Sequence, residues 1–192
     1  MKPDYHDYVI KDGRFIGKFE EMYQNCDDPW HSSKHQDWTT SPCSLATKQL
    51  IKPIVLSLGA GTGQHLAWLE CAAEGVELST TAVYQSFVSN RIYCEDALHY
   101  LKSAHRTYET YLFREILWYI LQDWAEIVSI LKAKRQGKLV IIELSFYDNQ
   151  TYGREVFDGP DDFIAKWPFT IEQIVREHTT KNQKEGRIMV AG

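Results

Sequence analysis

Apolar positions along the chain follow two rhythms. Short runs rich in apolar residues recur at Ile54 to Leu58, Gly75 to Leu78, Arg91 to Cys94, Tyr108 to Phe113 and Leu139 to Ile142. Runs without regular polar alternation predict strands buried on both faces. Between them the apolar residues shift to helical spacing: Leu66, Trp68 and Leu69 after Gln64; Ala82, Val83 and Phe87 after Ser79; a stretch from Ala97 through Leu101; and Ala125, Ile127, Val128, Ile130 and Leu131, ended by Gly137. Ahead of this region, Tyr8 to Ile16 around Asp12-Gly13 predicts a short hairpin. Phe19, Met22 and Tyr23 predict a helix broken at Asp27 to His31, and Ser41-Pro42 starts another that runs to about Lys52. After a polar loop from Tyr147 to Asp158, Pro160 starts a short helix. Thr170 to Thr179 and Arg187 to Ala191 predict two last strands around a turn at Lys181 to Gly186. The expected fold is α/β: a doubly wound, mainly parallel seven-stranded sheet with helices on both faces and a terminal antiparallel hairpin. The expected organisation is one domain over 1–192, with an N-terminal lid and helices (1–50), a core (51–145) and a final loop with the hairpin (146–192).

The chemistry concentrates at the ends of the predicted strands. Ile54 to Leu58 runs into Gly59-Ala60-Gly61-Thr62-Gly63 and then a helix. Strand, glycine turn and helix together make a nucleotide seat, because glycines let a ligand lie against the backbone and the helix start offers unpaired N–H groups. A dinucleotide site has Gly-x-Gly-x-x-Gly. Here Gln64 stands at that third position and the last glycine comes one residue early. Glu77 ends the second strand, where a carboxylate can accept from both hydroxyls of a ribose. Asp96 and Ala97 follow the third strand, and Arg114 and Glu115 follow the fourth. Each has a plainer reading: Glu77 as a strand-end charge, Asp96 and Glu115 as helix caps, Trp30 and Tyr119 as core. His31, His35 and His65 read as surface histidines.

These segments, in order and rough spacing over about residues 50–145, resemble the successive motifs of class I S-adenosylmethionine-dependent methyltransferases. The segment Glu20 to Ser33, with Asp28-Pro29-Trp30, is similar to the N-terminal lid of the nodulation N-methyltransferase and thiopurine methyltransferase groups. More distantly, the chain resembles small methyltransferases of bacterial capsule-polysaccharide clusters. The resemblance implies S-adenosylmethionine as cofactor and S-adenosylhomocysteine as product, held by Gly59, Ala60, Gly61, Glu77 and Asp96, with Leu78, Ala97, Arg114 and Trp30 beside them. It implies O- or N-methylation of a small polar acceptor, a surface-polysaccharide precursor among the options. Two features depart from the family. Ser57 stands where an acidic residue is usual, and the segment between Gly63 and Glu77 is short. Glu115 and Tyr119, four residues apart and so on one face of a helical turn, are candidates to orient the acceptor, with Glu115 or His31 taking its proton. A non-catalytic cofactor-binding module and a nicotinamide oxidoreductase are the alternatives.

Composition narrows the partners. The 192 residues carry a net charge of −5 with the basic residues spread out, which leaves no nucleic-acid face. The Lys132 to Arg135 cluster is read as a helix end. The N-terminus is too polar for a signal peptide, and no apolar run spans a bilayer. Cys26, Cys43, Cys71 and Cys94 share no metal-type spacing, so the expectation is a cytoplasmic protein with reduced thiols and no metal. Aromatic residues make up 13% of the chain, enough to line a pocket as well as fill a core.

Overall fold

The computed structural model describes residues 5–30, 37–134, 138–178 and 186–192. His31, Gly137 and most of the turn expected at Lys181 to Gly186 lie outside the described residues. The chain opens with a two-stranded hairpin, β1 (Ile10–Lys11) and β2 (Arg14–Phe15), turned by Asp12 and Gly13 at φ 50° and 71°. Helix α1 (Phe19–Asn25) follows, then α2 (Pro42–Leu50). Ser41 caps α2 by accepting from Ser44 N, with Pro42 at the first turn. Alternating units then follow: β3 (Val55–Leu58), α3 (Gln64–Trp68), β4 (Ala73–Glu77), α4 (Thr80–Tyr84), β5 (Ile92–Cys94), α5 (Ala97–Ser103), β6 (Thr110–Arg114), α6 (Trp124–Lys134) and β7 (Leu139–Phe146). The chain ends with α7 (Pro160–Ala165), β8 (Gln173–Glu177) and β9 (Gly186–Ala191).

The seven-stranded sheet has the order β5-β4-β3-β6-β7-β9-β8. Its first five strands are parallel, and β9 runs antiparallel to both β7 and β8. Successive strand residues point to opposite faces, and both faces are covered. Leu56, Leu58, Phe113 and Ile142 pack with Leu101 of α5, Ile127 and Leu131 of α6 and Phe163 of α7. Val55, Leu112, Ile141 and Met189 pack with Cys43 of α2 and with Leu66 and Leu69 beside α3. This double cover explains the solid apolar runs. Truncating Ile127 or Leu131, both fully buried, to alanine costs about 2–5 kcal/mol. Among the described residues no helix is long and apolar enough to cross a membrane.

Two of the boundaries that differ from expectation have a visible cause. Helix α3 stops at Trp68 rather than near Cys71, with Glu70 at φ 55°, so β4 begins at Ala73. Strand β7 continues four residues past Ile142 because β9 pairs with it as far as Phe146. Lys132 and Lys134 lie in the last turn of α6, as expected of the basic cluster, and Lys134 Nζ also donates to the carbonyls of Leu101 and Ala104 at the close of α5.

Helix α1 is tied to the start of α4 through Glu20. One oxygen of Glu20 accepts from the Thr81 hydroxyl at 2.6 Å, and the other from the Ser79 hydroxyl at 2.7 Å and from Thr81 N. These bonds, led by those from the Thr81 and Ser79 hydroxyls, lower the Glu20 carboxyl to a pKa of about 2. A carboxylate depressed on folding contributes stability that is present above its unfolded pKa and lost as pH falls through the folded value. The latch is therefore expected to weaken between about pH 4.5 and 2. Amide protection over residues 8–26, measured against the intrinsic exchange rate at each pH, is expected to fall in that window. Glu20→Gln is expected to exchange fast at neutral pH and to lose this pH dependence. Equal protection in the variant and the parent at pH 7 would show that Glu20 holds nothing.

Candidate functional site

A cleft of about 1080 Å³ opens at the carboxyl ends of the parallel strands, where β3 and β6 diverge toward opposite edges. That is the position where doubly wound sheets bind ligands. Its floor is the turn after β3. Gly59 and Gly61 have φ of 69° and 56°, which side-chain-bearing residues rarely adopt. A Cβ on Gly61 would lie 3.1 Å from the Tyr23 hydroxyl, so α1 already sits close over the turn. The Ala60 amide donates to Val76 O at 2.9 Å, tying the turn to β4.

Glu77, at the end of β4, is 8% exposed. One oxygen accepts from Gly61 N at 2.9 Å and the other from Ser79 N at 2.9 Å. Burial pushes its carboxyl above the ordinary range, against the pull of the Ser79, Gly61 and Leu78 amides. Asp96 accepts from His99 N at 2.9 Å, so it does cap α5, and it also lines the cleft beside Ala97. Leu78 lines it too and is half exposed.

At the other end of the cleft a polar row crosses the sheet above the apolar core. Arg114 of β6 pairs with the fully buried Glu143 of β7 and lies over the ring of Trp38. Glu143 also accepts from Ser44 Oγ. Glu115, just past β6, accepts from the amide and hydroxyl of Ser145 and meets Arg187 Nε at 2.7 Å. Arg187 Nη1 reaches Glu177 at 3.2 Å, and Glu177 accepts from Ser41 Oγ and Cys43 N at the start of α2.

The two expected acceptor-side residues therefore do not share a helical face. Glu115 has φ 55°, and the short helical turn that holds Tyr119 begins only at Leu117. Both line the cleft, Glu115 with its oxygens occupied by the row and Tyr119 beneath the N-terminal rings. Burial pushes the Tyr23, Tyr119 and Tyr147 phenols up, so each stays a neutral hydroxyl. Trp30 donates to the Tyr23 hydroxyl at 2.7 Å and packs on Tyr5 and Tyr119.

His65 is not the surface histidine its sequence suggested. It follows the glycine turn on α3, lines the cleft, and packs between Trp38 and Trp68. Among the described residues its buried Nε2 has no hydrogen-bond partner. Burial, with Arg114, Arg187 and Lys48 nearby, holds its imidazole well below the usual range, so it is neutral near pH 7. Trp38, Tyr23 and Arg187 also belong to the cleft and were not singled out from sequence. Tyr23 stood in the helical pattern as core, and Arg187 acquires its place only through the pairing of β9.

No protein-family model matches the sequence, and no curated protein does. Solved structures do. The N-methyltransferase NodS from Bradyrhizobium japonicum superposes with a TM-score of 0.57 at 14% identity, over 86% of this chain and 96% of that one. An S-adenosylmethionine-dependent methyltransferase from Clostridium acetobutylicum gives 0.53 at 16%, over 91% and 96%. Magnesium protoporphyrin IX methyltransferase from Synechocystis, with bound S-adenosylmethionine, gives 0.51 at 16%, over 82% and 78%. The chain has the class I methyltransferase fold, in agreement with the strand order described above.

Arg187 is the joint of the polar row. Arg187→Met strips the cation from Glu115 and Glu177, and breaking one partner of a buried pair costs about 3–5 kcal/mol. For a chain of this size that is roughly 6–20 °C in melting temperature. Thermal unfolding followed by circular dichroism checks it, and a shift under about 2 °C would mean that water replaces the arginine.

Proposed function

We propose that the protein is an S-adenosylmethionine-dependent methyltransferase acting on the oxygen or nitrogen of a small molecule. The supporting observation is the Glu77 carboxylate, buried beside a glycine-rich turn and oriented by the Gly61 and Ser79 amides. A carboxylate has about four lone-pair sites, and two N–H donors leave capacity for the two hydroxyls of a ribose. The turn and this acceptor fit an adenosine cofactor. Asp96 and Ala97 suit the adenine edge. Arg114, beside Ser57 and over Trp38, suits the carboxylate of the methionine half, where its charge offsets the missing acid at position 57 only in holding that end, not in pairing the amino group. When bound, the cofactor supplies a methyl group already activated on a sulfonium.

What remains for the chain is alignment, exclusion of water and disposal of a proton. Tyr23 and Trp30 close the lid side over the turn. The burial and nearby cations that keep His65 neutral also make it a weak base, so its imidazole is suited to accept a hydrogen bond rather than to take a proton. Glu115, with Ser145 and Arg187 on its oxygens, is suited to orient the acceptor as much as to deprotonate it. His31, the other candidate base, lies outside the described residues. A surface-polysaccharide precursor as acceptor rests on the distant resemblance alone.

Calorimetry with S-adenosylhomocysteine tests the reading. Glu77→Gln keeps one acceptor oxygen but loses the charge that strengthens bonds to ribose, about 1.5–3 kcal/mol or tenfold to a hundredfold in affinity. The glutamine NH2 would face the Gly61 or Ser79 amide, so the free protein is expected to lose stability as well, and affinities are compared at a temperature where circular dichroism shows the variant folded. Tight NAD binding by the parent protein, or unchanged adenosylhomocysteine affinity in the variant, would contradict the assignment.

A further inference from the structure

One wall of the cleft carries rings that are only partly buried, with Trp30, bonded to Tyr23 over the Gly61 turn, on the Glu77 side of Tyr119, Phe15 and Tyr152. Phe15, Trp30, Tyr119 and Tyr152 all line the cleft. Phe15 stacks on Tyr119 at 6.2 Å with 19° between planes, and on Tyr152 at 5.7 Å with 21°. Trp30 lies 5.9 Å from Tyr119. Large rings left partly exposed inside a concavity mark a surface that a ligand covers, because an ordinary fold would bury them.

The charges of the same region are matched within the protein. Arg187 is paired by Glu115 and Glu177, and Arg114 by Glu143. Glu143 and Glu177 lie behind the lining, and with the cofactor carboxylate on Arg114 the cation left at this end is Arg187, already held by Glu115 and Glu177. Lys11 lines the cleft, as do Asp7, Asp12 and Asp123. The phenols of Tyr119 and Tyr147 stay neutral donors. An anion entering here meets a surplus of negative charge, whereas a neutral or cationic ring meets π faces that attract it.

We propose that the methyl acceptor is a small planar-ring compound, uncharged or cationic, that stacks against Phe15, Trp30, Tyr119 and Tyr152, and that uronates and sugar phosphates are excluded. The proposal rests on the methyltransferase reading. The reaction moves a methyl from the sulfonium of S-adenosylmethionine to a ring hydroxyl or amine, whose proton leaves, and releases S-adenosylhomocysteine.

The test titrates the full chain with 2-naphthol, glucuronate and glucose 6-phosphate, each with and without S-adenosylhomocysteine, by calorimetry and saturation-transfer NMR. Expected is saturable 2-naphthol binding that weakens about threefold to tenfold in Phe15→Leu and in Tyr152→Leu, with no binding of either anion. The two variants remove the stack from different segments while keeping apolar bulk, and circular dichroism checks that each folds. Binding of glucuronate or glucose 6-phosphate in competition with 2-naphthol overturns the proposal. So does 2-naphthol binding that neither folded variant weakens, or its absence. Adenosylhomocysteine is titrated separately. Its failure to bind strikes at the methyltransferase reading, while the ring and anion titrations still decide what the aromatic wall accepts.

Discussion

The bond between the Gly61 amide and the Glu77 carboxylate organises the molecule. It ties the turn that ends β3 to the end of β4, and its partner bond from Ser79 carries the restraint into the start of α4. The turn can come this close only because Gly59 and Gly61 accept positive φ. A buried carboxylate with no partner would be costly. Held by backbone amides it becomes a fixed acceptor aimed along the cleft, and burial still keeps its proton affinity high. The Glu20 latch then attaches α1 to the same corner through Ser79 and Thr81. Turn, second strand and N-terminal segment are thereby joined at one place.

The cleft has two chemically distinct ends. The Glu77 end is built from backbone amides and short side chains, the means by which a nucleoside is held. The other end is lined by Arg114, Glu115 and Arg187, backed by Glu143 and Glu177, and by a wall of rings. Such ion pairs are a weak source of net stability, since each charge gives up hydration. Their value lies in position. Ser41, Ser44 and Cys43 N at the start of α2 lock onto Glu143 and Glu177, so one helix end, β6, β7, β9 and β8 are fixed in register by directional contacts rather than by apolar packing alone.

Most of the sheet was legible because its strands are covered on both faces, which leaves the solid runs at Ile54 to Leu58 and Leu139 to Ile142. The caps at Ser41, Ser79 and Asp96 were legible because capping is local chemistry. The glycine spacing and Glu77 could be read for the same reason. What could not be read depends on distant segments. The extension of β7 to Phe146 depends on β9. The burial of His65 depends on Trp38, well before it in the chain. The helical face expected for Glu115 and Tyr119 fails because Glu115 turns into a left-handed conformation beneath β7, donating its amide to Glu143 O. No local rule contains these contacts.

The central claim is that the turn, the end of β4 and the start of α5 form one adenosine seat. The most direct measurement is a hydrogen-exchange footprint of the chain with and without S-adenosylhomocysteine. The account predicts slowed exchange at Gly59 to His65, Glu77 to Thr80 and Asp96 to His99 together, with no such change on adding NAD. Protection confined to other segments, or none at saturating ligand, would contradict it.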